Sequence, residues 1–502
     1  MSVAVHSIVL ALVGAGLMGT ALMSGCKPDT EPVERGTATL LQTIARELPV
    51  DDMDKAKQAL AQDAWRREHR FLDAVEPGHL FASTRVDQAE IDHHLWSSDE
   101  LYQLGGQLFT HQFTRAEGFG GAEPLGLRRF HDGRRGGPDG FGCTSCHWRG
   151  GLAGAGDAAD NAMFGGDGVH QSSTVARNPP ALAGAGLRER LAQQMNTELA
   201  LARDQALARA AAEGHAVRVP LQAKDVRFGY LTARADGTLD ATEVAGVDSD
   251  LVIKPFGWKG TFGSIREAAE DALLVHHGMQ TTTLVDEGDP ARVGARGGAD
   301  PDGDGIAEEI REGQLSALVL FVAMQELPAE EIPNLDPYLA TLWARGRLDF
   351  ETLGCASCHV PALMLDDAVY TLEHRDGGPD FAVDLSIDGA APRLERGAQD
   401  DGFELRLYSD LKRHRMGAAL AESRNELGAN ADEFITPPLW GIARSRPYLH
   451  DGRAPTLDDA ILLHGGEAQA SRDAFASLDD AGRGPLRVFL TSLVRATRLV
   501  TP

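Results

Sequence analysis

The pentapeptide Cys-x-x-Cys-His occurs twice in this sequence, as Cys143-Thr-Ser-Cys146-His147 and as Cys355-Ala-Ser-Cys358-His359. It is the attachment signature of a c-type haem. Two thiols at this spacing can bond the two vinyl groups of one porphyrin, and the adjacent histidine becomes the proximal ligand of the iron. The two copies therefore predict two covalently bound haem c groups, each completing a protein core with a large planar cofactor.

The cysteine count favours haem over the two alternatives, a zinc site and structural disulfides. A four-cysteine zinc site would not need a histidine after each cysteine pair. The chain has five cysteines, and the motifs leave only Cys26. No cysteine therefore remains for a structural disulfide.

Length and composition indicate a globular protein of two or three domains. The chain has 502 residues, 43% apolar and 24% charged, which is typical of soluble proteins and too long for one ordinary core. Its 56 glycines and 24 prolines against 6% aromatic residues predict long loops. The net charge of −26 argues against nucleic acid or an anionic membrane surface as partners. It suits a small basic redox protein as electron donor, or solubility alone.

The N-terminus has the pattern of an export signal. Residues 8–22 are apolar and end at Met23-Ser-Gly-Cys26, which resembles a bacterial lipobox. The run is short for a membrane span, and a polar stretch follows it at once. No Lys or Arg precedes the run, and Met23 replaces the usual leucine. We predict a lipoprotein signal peptide over 1–25 and a periplasmic protein anchored through lipid on Cys26, to the outer membrane in a Gram-negative cell. An uncleaved anchor and a soluble secreted form are the alternatives.

Apolar spacing along the chain predicts a mainly α protein with little β structure. No alternating run longer than about five residues stands out as a strand. The predicted domains are a tether with N-terminal helices (26–95), an N-terminal haem domain (96–330) and a C-terminal haem domain (331–502), both cytochrome c-like. Helices are predicted over 38–74, 98–113, 187–213, 264–277, 314–324, 337–350, 458–464 and 468–496.

Several further segments together resemble the bacterial di-haem oxidoreductase family, within the di-haem cytochrome c peroxidase superfamily. The resemblance spans roughly residues 105–495 and is specific to the family. The segments that carry it are Arg177-Asn-Pro-Pro-Ala-Leu182, Pro255-Phe-Gly-Trp-Lys-Gly260, Tyr408-Ser-Asp410, His414-Arg-Met-Gly417, Thr436-Pro-Pro-Leu-Trp-Gly441, Tyr448-Leu-His-Asp-Gly-Arg453 and His464-Gly-Gly-Glu-Ala468.

The resemblance implies that the two haems have different roles. The N-terminal haem, on His147, would react with peroxide, and the C-terminal haem, on His359, would pass electrons to it. Met416 is the implied sixth ligand of the C-terminal haem, since a thioether favours reduced iron. His414 competes for that role, and a buried gap-filling methionine is the other alternative. Arg415 stands where an acidic residue would be expected.

Two further residues are implied near the N-terminal haem. His170 lies ten residues before Pro180, the spacing of the distal histidine in the superfamily, where an imidazole could ligate iron or carry protons. Trp258 matches the tryptophan between the haems, where an indole assists electron transfer. The alternatives are a surface loop histidine and ordinary core packing.

The acid–base group of a peroxidase is where the family pattern is broken. Reduction of peroxide needs a base that takes a proton and returns it. The family's glutamine and glutamate positions fall at Ala268 and at or beside Gly278. The nearby candidates are Glu270, His276 and His277. Either a histidine transfers the proton, or the pocket is not built for fast peroxidase turnover.

Two polar groups complete the predicted sites. Arg453, with His450 beside it, is expected to contact haem propionates, because arginine suits planar carboxylates, and His464 and Glu467 form a second polar cluster. A structural role for these four residues is the alternative.

The second group is the acidic run Asp300-Pro-Asp302-Gly-Asp304, which predicts calcium binding, with Glu308 or Glu309 as a further ligand. Arg311 occupies the position where an EF-hand needs glutamate. The EF-hand interpretation is therefore excluded. A solvated acidic turn is the alternative to calcium.

The sequence therefore predicts a di-haem enzyme of the cytochrome c peroxidase type. Two rival enzymes would share the scaffold: a protein-modifying oxidase similar to the one that matures tryptophylquinone, and a dioxygenase similar to the di-haem proteins that cleave rubber. The rival from another class is an electron-transfer cytochrome without catalytic activity, in which both haems are six-coordinate.

Overall fold

The computed structural model describes nine ranges of the chain: 86–121, 139–164, 170, 173–294, 296–326, 328–372, 381–386, 394–397 and 402–495. All of them belong to one of two units, residues 75–502. The predicted signal peptide, Cys26 and the helix predicted over 38–74 lie outside the described residues. No helix within these ranges has the length and apolar composition that a membrane span requires.

Helices supply the framework around both motifs. The helix Glu312–Ala323, numbered α7 below, lies in the N-terminal half and is buried from Gly313 onward, including its polar Gln314 and Ser316. The helices are α1 (Gln88–Asp92), α2 (Ser98–Thr110), α3 (Ala185–Glu213), α4 (Ile265–Ala272), α5 (Thr282–Glu287), α6 (Pro290–Val293), α7 (Glu312–Ala323), α8 (Pro337–Thr352), α9 (Leu457–Leu463), α10 (Gln469–Ala476) and α11 (Asp480–Thr491).

Close helix contacts position each motif. Helix α2 starts at a capping box formed by Ser97 and Glu100 and leads toward the first motif. It packs so tightly on α7 that a Cβ on Gly105 would lie 1.9 Å from the carbonyl oxygen of Ala317. Helix α8 starts at the cap Asp336, leads into the second motif, and approaches α11 equally closely at Gly346. Glycine at these two positions therefore permits the two contacts.

The strands make the fold mixed rather than mainly α. Within the described ranges they form six small antiparallel sheets. The strands are β1 (Ala162–Phe164), β2 (Val175–Arg177), β3 (Val217–Ala223), β4 (Val226–Ala233), β5 (Leu239–Asp240), β6 (Pro328–Glu330), β7 (Leu363–Leu365), β8 (Val369–Leu372), β9 (Phe381–Asp384), β10 (Glu395–Arg396), β11 (Phe403–Leu405), β12 (Arg413–Arg415), β13 (Glu433–Ile435) and β14 (Leu493–Arg495).

The expectation from the sequence therefore underestimated the amount of β structure, for two reasons. Most strands have two to four residues, too few to show an alternating pattern. The hairpin of β3 and β4 is longer, and its buried and exposed residues do alternate. The sequence contained that signal, but Pro220 within β3 obscured it, because proline normally argues against a strand.

The main hydrophobic core crosses the predicted domain boundary at residue 330. It contains Leu191 and Phe321 from one side and Leu365 and Leu405 from the other. A second core lies wholly in the C-terminal part, where Phe350, Tyr408, Phe475 and Phe489 pack together. The division into two haem domains stays a prediction.

Candidate haem sites and the residues between them

The C-terminal motif opens into a large cavity. Cys355, Cys358 and His359 all line it. The Nδ1–H of His359 donates to the carbonyl oxygen of Tyr408 at 3.0 Å, which leaves Nε2 as the nitrogen that can bind iron. Desolvation lowers the pKa of His359 to about 4, so the imidazole is neutral, as a metal ligand must be. Two thiols and a neutral imidazole facing one cavity fit a covalently attached haem.

Met416 lies in the same cavity, whereas His414 is held by carboxylates. Nε2 of His414 lies 2.9 Å from Oδ2 of Asp410, and Nδ1 lies 2.8 Å from Oε2 of Glu467. Burial opposes a charge on this ring, but the hydrogen bonds to Asp410 and to Cys358 raise the pKa of His414 to about 11. A protonated imidazole cannot ligate iron. Of the two candidate ligands, Met416 is therefore the available one.

The N-terminal motif has the same histidine geometry. The Nδ1–H of His147 donates to the carbonyl oxygen of Gly154 at 3.2 Å. Desolvation lowers the pKa of His147 to about 4, and the nearby His276 contributes in the same direction. The turn that carries Cys143 follows Gly142, where a Cβ would lie 2.1 Å from the carbonyl oxygen of His111. This motif, too, presents a neutral imidazole with Nε2 available.

Helix α4 continues into a π-helical turn, Leu273–His277. This turn brings His276 and His277 near His147. The Nδ1–H of His276 donates to Oδ2 of Asp139 at 2.7 Å, and the Asp139 side chain is almost fully buried. The Nδ1–H of His277 donates to the carbonyl oxygen of Gly140 at 2.8 Å. Burial lowers the pKa of His277 to about 4. His276 therefore carries a carboxylate partner, and His277 is a neutral group in the core.

Two other predicted catalytic residues, Glu270 and His170, have different surroundings. Glu270 is buried in α4 and accepts a hydrogen bond from the Thr281 hydroxyl at 3.1 Å; its electrostatic partners are Arg266, Glu312 and Glu287 rather than motif residues. His170 is exposed in the loop between β1 and β2, and its carbonyl accepts a hydrogen bond from the Ser173 amide. Glu270 is thus bound to Thr281, and its catalytic role stays a prediction. The exposed position of His170 agrees with the alternative of a surface loop histidine, and its role stays a prediction.

Trp258 lies beside a segment that touches both motifs. Its Nε1–H donates to the carbonyl oxygen of Asn178 at 2.7 Å. Trp258, Pro179 and Pro180 line the C-terminal cavity, and the Pro180 carbonyl interacts with the ring of His147. The predicted position of Trp258 between the two haems is compatible with this arrangement and stays a prediction.

A buried charge cluster, Arg177, Lys259, Glu422 and Glu426, was not anticipated from the sequence. Arg177 donates to both carboxylate oxygens of Glu422, at 2.9 and 2.8 Å, and also pairs with Glu426. Lys259 is fully buried, with Nζ 3.4 Å from Glu422. The signal was available, because Arg177 and Lys259 are charges within otherwise apolar or small family-like segments.

The charge cluster lies between the two sites. On one side the Arg177 guanidinium stacks on the Phe164 ring at 4.8 Å, and the edge of Phe164 meets His276 at 5.1 Å. On the other side the Lys259 ammonium stands 3.8 Å from the Phe434 ring, and Phe434 stacks on His450 at 4.4 Å in the C-terminal cavity. Continuous contacts therefore connect His276 to the C-terminal cavity.

Among the predicted propionate partners, Arg453 already has partners within the protein. Its guanidinium donates to Asp451 at 2.6 Å and to the carbonyl oxygen of Ala419 at 2.7 Å, and Arg453 does not line the cavity. His450, His464 and Glu467 do line it. Arg188, which the sequence did not single out, also lines the cavity and is 8% exposed. Asp451, two residues away in the chain, pairs with Arg453, and the propionate role of Arg453 stays a prediction.

The acidic loop gathers the predicted calcium ligands. Carboxylate oxygens of Asp300, Asp302 and Asp304 lie within 4.8 Å of one another. Burial raises the pKa of the nearby Glu309 to about 9, and repulsion from the aspartates adds to this shift. Glu308 is instead exposed and pairs with Arg311 at 2.5 Å. Of the two glutamates, Glu309 is the one beside the aspartates.

Each of the two Cys-x-x-Cys-His motifs has a neutral histidine whose Nε2 is available. These features are those of a di-haem protein. The family model described as "Di-haem oxidoreductase, putative peroxidase" matches residues 215–493. The chain belongs to this family.

Individual relatives are more distant. The chain is 29% identical to the Cytochrome-c peroxidase IdrP1 of Denitromonas iodatirespirans over 133 residues, which are 25% of this chain and 32% of that protein. The match thus spans about a third of the relative. Kuenenia stuttgartiensis hydrazine synthase is 19% identical with a TM-score of 0.23, over 41% of this chain and 66% of that one. A MauG-like protein associated with microbial copper homeostasis is 16% identical with a TM-score of 0.27, over 63% and 91%.

Loss of Glu422 should destabilise the protein strongly. Glu422→Gln would leave the buried Lys259 and Arg177 without their shared carboxylate, and removing one partner of a buried ion pair costs about 3–5 kcal/mol. Glu426→Gln is the matched control, because Glu426 is more exposed than Glu422 and, among the described residues, its ion pair is with Arg177. Thermal unfolding of both variants measures the difference. Equal shifts in the two midpoints would show that the cluster does not depend on Glu422.

Proposed function

We propose that this protein is a periplasmic di-haem c-type peroxidase in which electrons enter at the haem of His359 and Met416 and peroxide reacts at the haem of His147. The observation that carries the proposal is the asymmetry of the two sites. Met416 shares the cavity of His359, whereas His147 has the His276–Asp139 pair nearby. A methionine ligand suits electron storage, and a histidine–carboxylate pair suits proton transfer.

The His276–Asp139 pair supplies the acid–base group that the family pattern lacks here. The Asp139 carboxylate accepts the Nδ1–H of His276 and so orients the imidazole and selects its tautomer. Nε2 can then take a proton from peroxide and return it to the leaving oxygen. A bound haem would supply the iron at which peroxide accepts electrons. In this proposal His276 replaces the glutamate expected at or beside Gly278.

Electron transfer between the sites is proposed to use Trp258. The hydrogen bond from its indole to the Asn178 carbonyl fixes the ring at the wall of the C-terminal cavity. Two residues further on, Pro180 contacts His147. The route from the cavity to His147 is therefore short and formed of packed groups. A small redox protein is the proposed electron donor.

Export and anchoring are part of the same proposal. Haem attachment to Cys-x-x-Cys-His takes place outside the cytoplasmic membrane, and the sequence around Cys26 resembles a lipobox. A lipid on Cys26 would hold the enzyme at a membrane without a spanning helix. The net charge of −26 suits a basic electron donor in that compartment.

Replacing His276 should remove peroxidase activity without removing haem. We expect His276→Gln to lower peroxide turnover, measured with half-reduced protein and a small cytochrome donor, by about 10²-fold or more, because general acid–base catalysis contributes about 10²–10⁴-fold. His170→Gln, at an exposed position, is the control and should keep wild-type turnover. An unchanged rate in His276→Gln would exclude the proton-transfer role.

The wild-type protein distinguishes the rival functions in the same assay. Negligible peroxide turnover with two attached haems would favour the protein-modifying oxidase or the dioxygenase. If neither the oxidised nor the half-reduced protein shows a high-spin haem or binds cyanide, the electron-transfer cytochrome is correct and the enzyme proposal fails.

Ligation by Met416 has a spectroscopic test. Met416→Ala should abolish the near-infrared band of a methionine-ligated ferric haem and lower the reduction potential of the C-terminal haem, because the thioether favours reduced iron. His414→Asn should retain the band, since His414 is bound by Asp410 and Glu467. Retention of the band in Met416→Ala would exclude Met416 as ligand.

We also propose that Asp300, Asp302 and Asp304 bind calcium. Calcium added to chelator-treated protein should raise the thermal unfolding midpoint, because a ligand that binds the folded state stabilises it. Asp302→Asn should lose this response, and Glu308→Gln, which alters an exposed carboxylate paired with Arg311, should keep it. A wild-type midpoint independent of calcium would contradict the proposal.

A further inference from the structure

Arg188 is a buried cation in the wall of the C-terminal cavity. It lies in the first turn of α3 and is 8% exposed. Its guanidinium stacks on the Phe256 ring at 4.5 Å. Its buried Nε has no hydrogen-bond partner in the described part of the chain, and no carboxylate there forms an ion pair with it. Arg188 is therefore an unsatisfied donor facing the cavity.

The neighbouring charges do not supply the missing partner. Glu189 attracts Arg188 electrostatically, but its carboxylate accepts hydrogen bonds from the Ile265 amide at 2.8 Å and the Tyr370 hydroxyl at 3.3 Å. Of the other charged groups lining the cavity, Glu467 is bound to His414, and Arg472 bonds Asp473. Within the part of the chain that the structure describes, no carboxylate hydrogen-bonds Arg188.

An unpaired buried cation indicates that an anion binds beside it in the functional protein. Burial lowers the pKa of Arg188 to about 10, so the side chain remains charged at neutral pH. Burying a charge without a partner costs several kcal/mol, and proteins normally pair such groups. The anion must reach Arg188 from the cavity, because Arg188 lines it together with Cys355, Cys358 and His359.

We propose that Arg188 binds a propionate of the haem attached at Cys355 and Cys358. The inference rests on the proposed haem at this motif and assigns to Arg188 the role expected of Arg453. A planar guanidinium matches a carboxylate with two parallel hydrogen bonds. Arg188 is a positioning residue: it anchors the haem to α3, and its positive charge favours the reduced iron.

The test measures the reduction potential of each haem in the holoprotein by spectroelectrochemistry. Arg188→Gln should lower the reduction equilibrium constant of the C-terminal haem about tenfold or more, which is about 59 mV for a one-electron couple. Arg188→Lys keeps the charge and should show a smaller fall. Arg190→Gln is the control, because Arg190 lies on the same helix but pairs with Asp367 and does not line the cavity.

Haem content is measured first, so that two failures can be told apart. Wild-type protein without two attached haems would overturn the proposed function and this inference with it. With both haems attached, an Arg188→Gln potential equal to that of Arg190→Gln would overturn the role of Arg188 alone. If Arg188→Gln does not fold, Arg188→Lys decides: altered propionate bending bands in its resonance Raman spectrum support the inference, and unchanged bands and potential overturn it.

Discussion

The orientation of two imidazole rings is the constraint on which both candidate haem sites depend. Each haem-motif histidine, His147 and His359, donates its Nδ1–H to a backbone carbonyl. This contact selects the tautomer and leaves Nε2 as the ligand nitrogen. The carbonyls belong to Gly154 and Tyr408, and the rest of the fold, from the tight packing at Gly105 to that at Gly346, holds the motifs against those segments.

The two sites share this geometry but differ in the charges that surround them. At the C-terminal site the segment 408–416 provides the carbonyl for His359, Asp410 for His414, and Met416. Both ring nitrogens of His414 lie within hydrogen-bond distance of carboxylates, those of Asp410 and Glu467, whereas Met416 lines the cavity. At the N-terminal site a carboxylate is placed on His276 instead. A histidine–carboxylate pair thus occurs near both motifs, and the proposed roles of the two pairs differ.

Residues in short local motifs could be predicted from the sequence, whereas contacts between residues distant in the chain could not. The Cys-x-x-Cys-His pairs, Met416 and the acidic run of Asp300, Asp302 and Asp304 are short patterns, and each patterned set lies together in the structure. The proposal of His276 rather than Glu270 rests on Asp139, which lies 137 residues from His276 in the chain. The proposal of Arg188 rather than Arg453 rests on the carboxylate that Arg453 already pairs with. A sequence shows charge and spacing but not which charges are already paired.

The sequence by itself identified the family, and it predicted the haem chemistry and the asymmetry between the two halves, because covalent attachment needs particular residues at a fixed local spacing. Only the tertiary structure decided which groups surround each haem motif. The buried charges Arg177, Lys259 and Glu422 lie far apart in the chain and meet because burial of a charge requires a partner. The guanidinium of Arg188 became visible for the same physical reason: it is buried, and no carboxylate among the described residues is bonded to it.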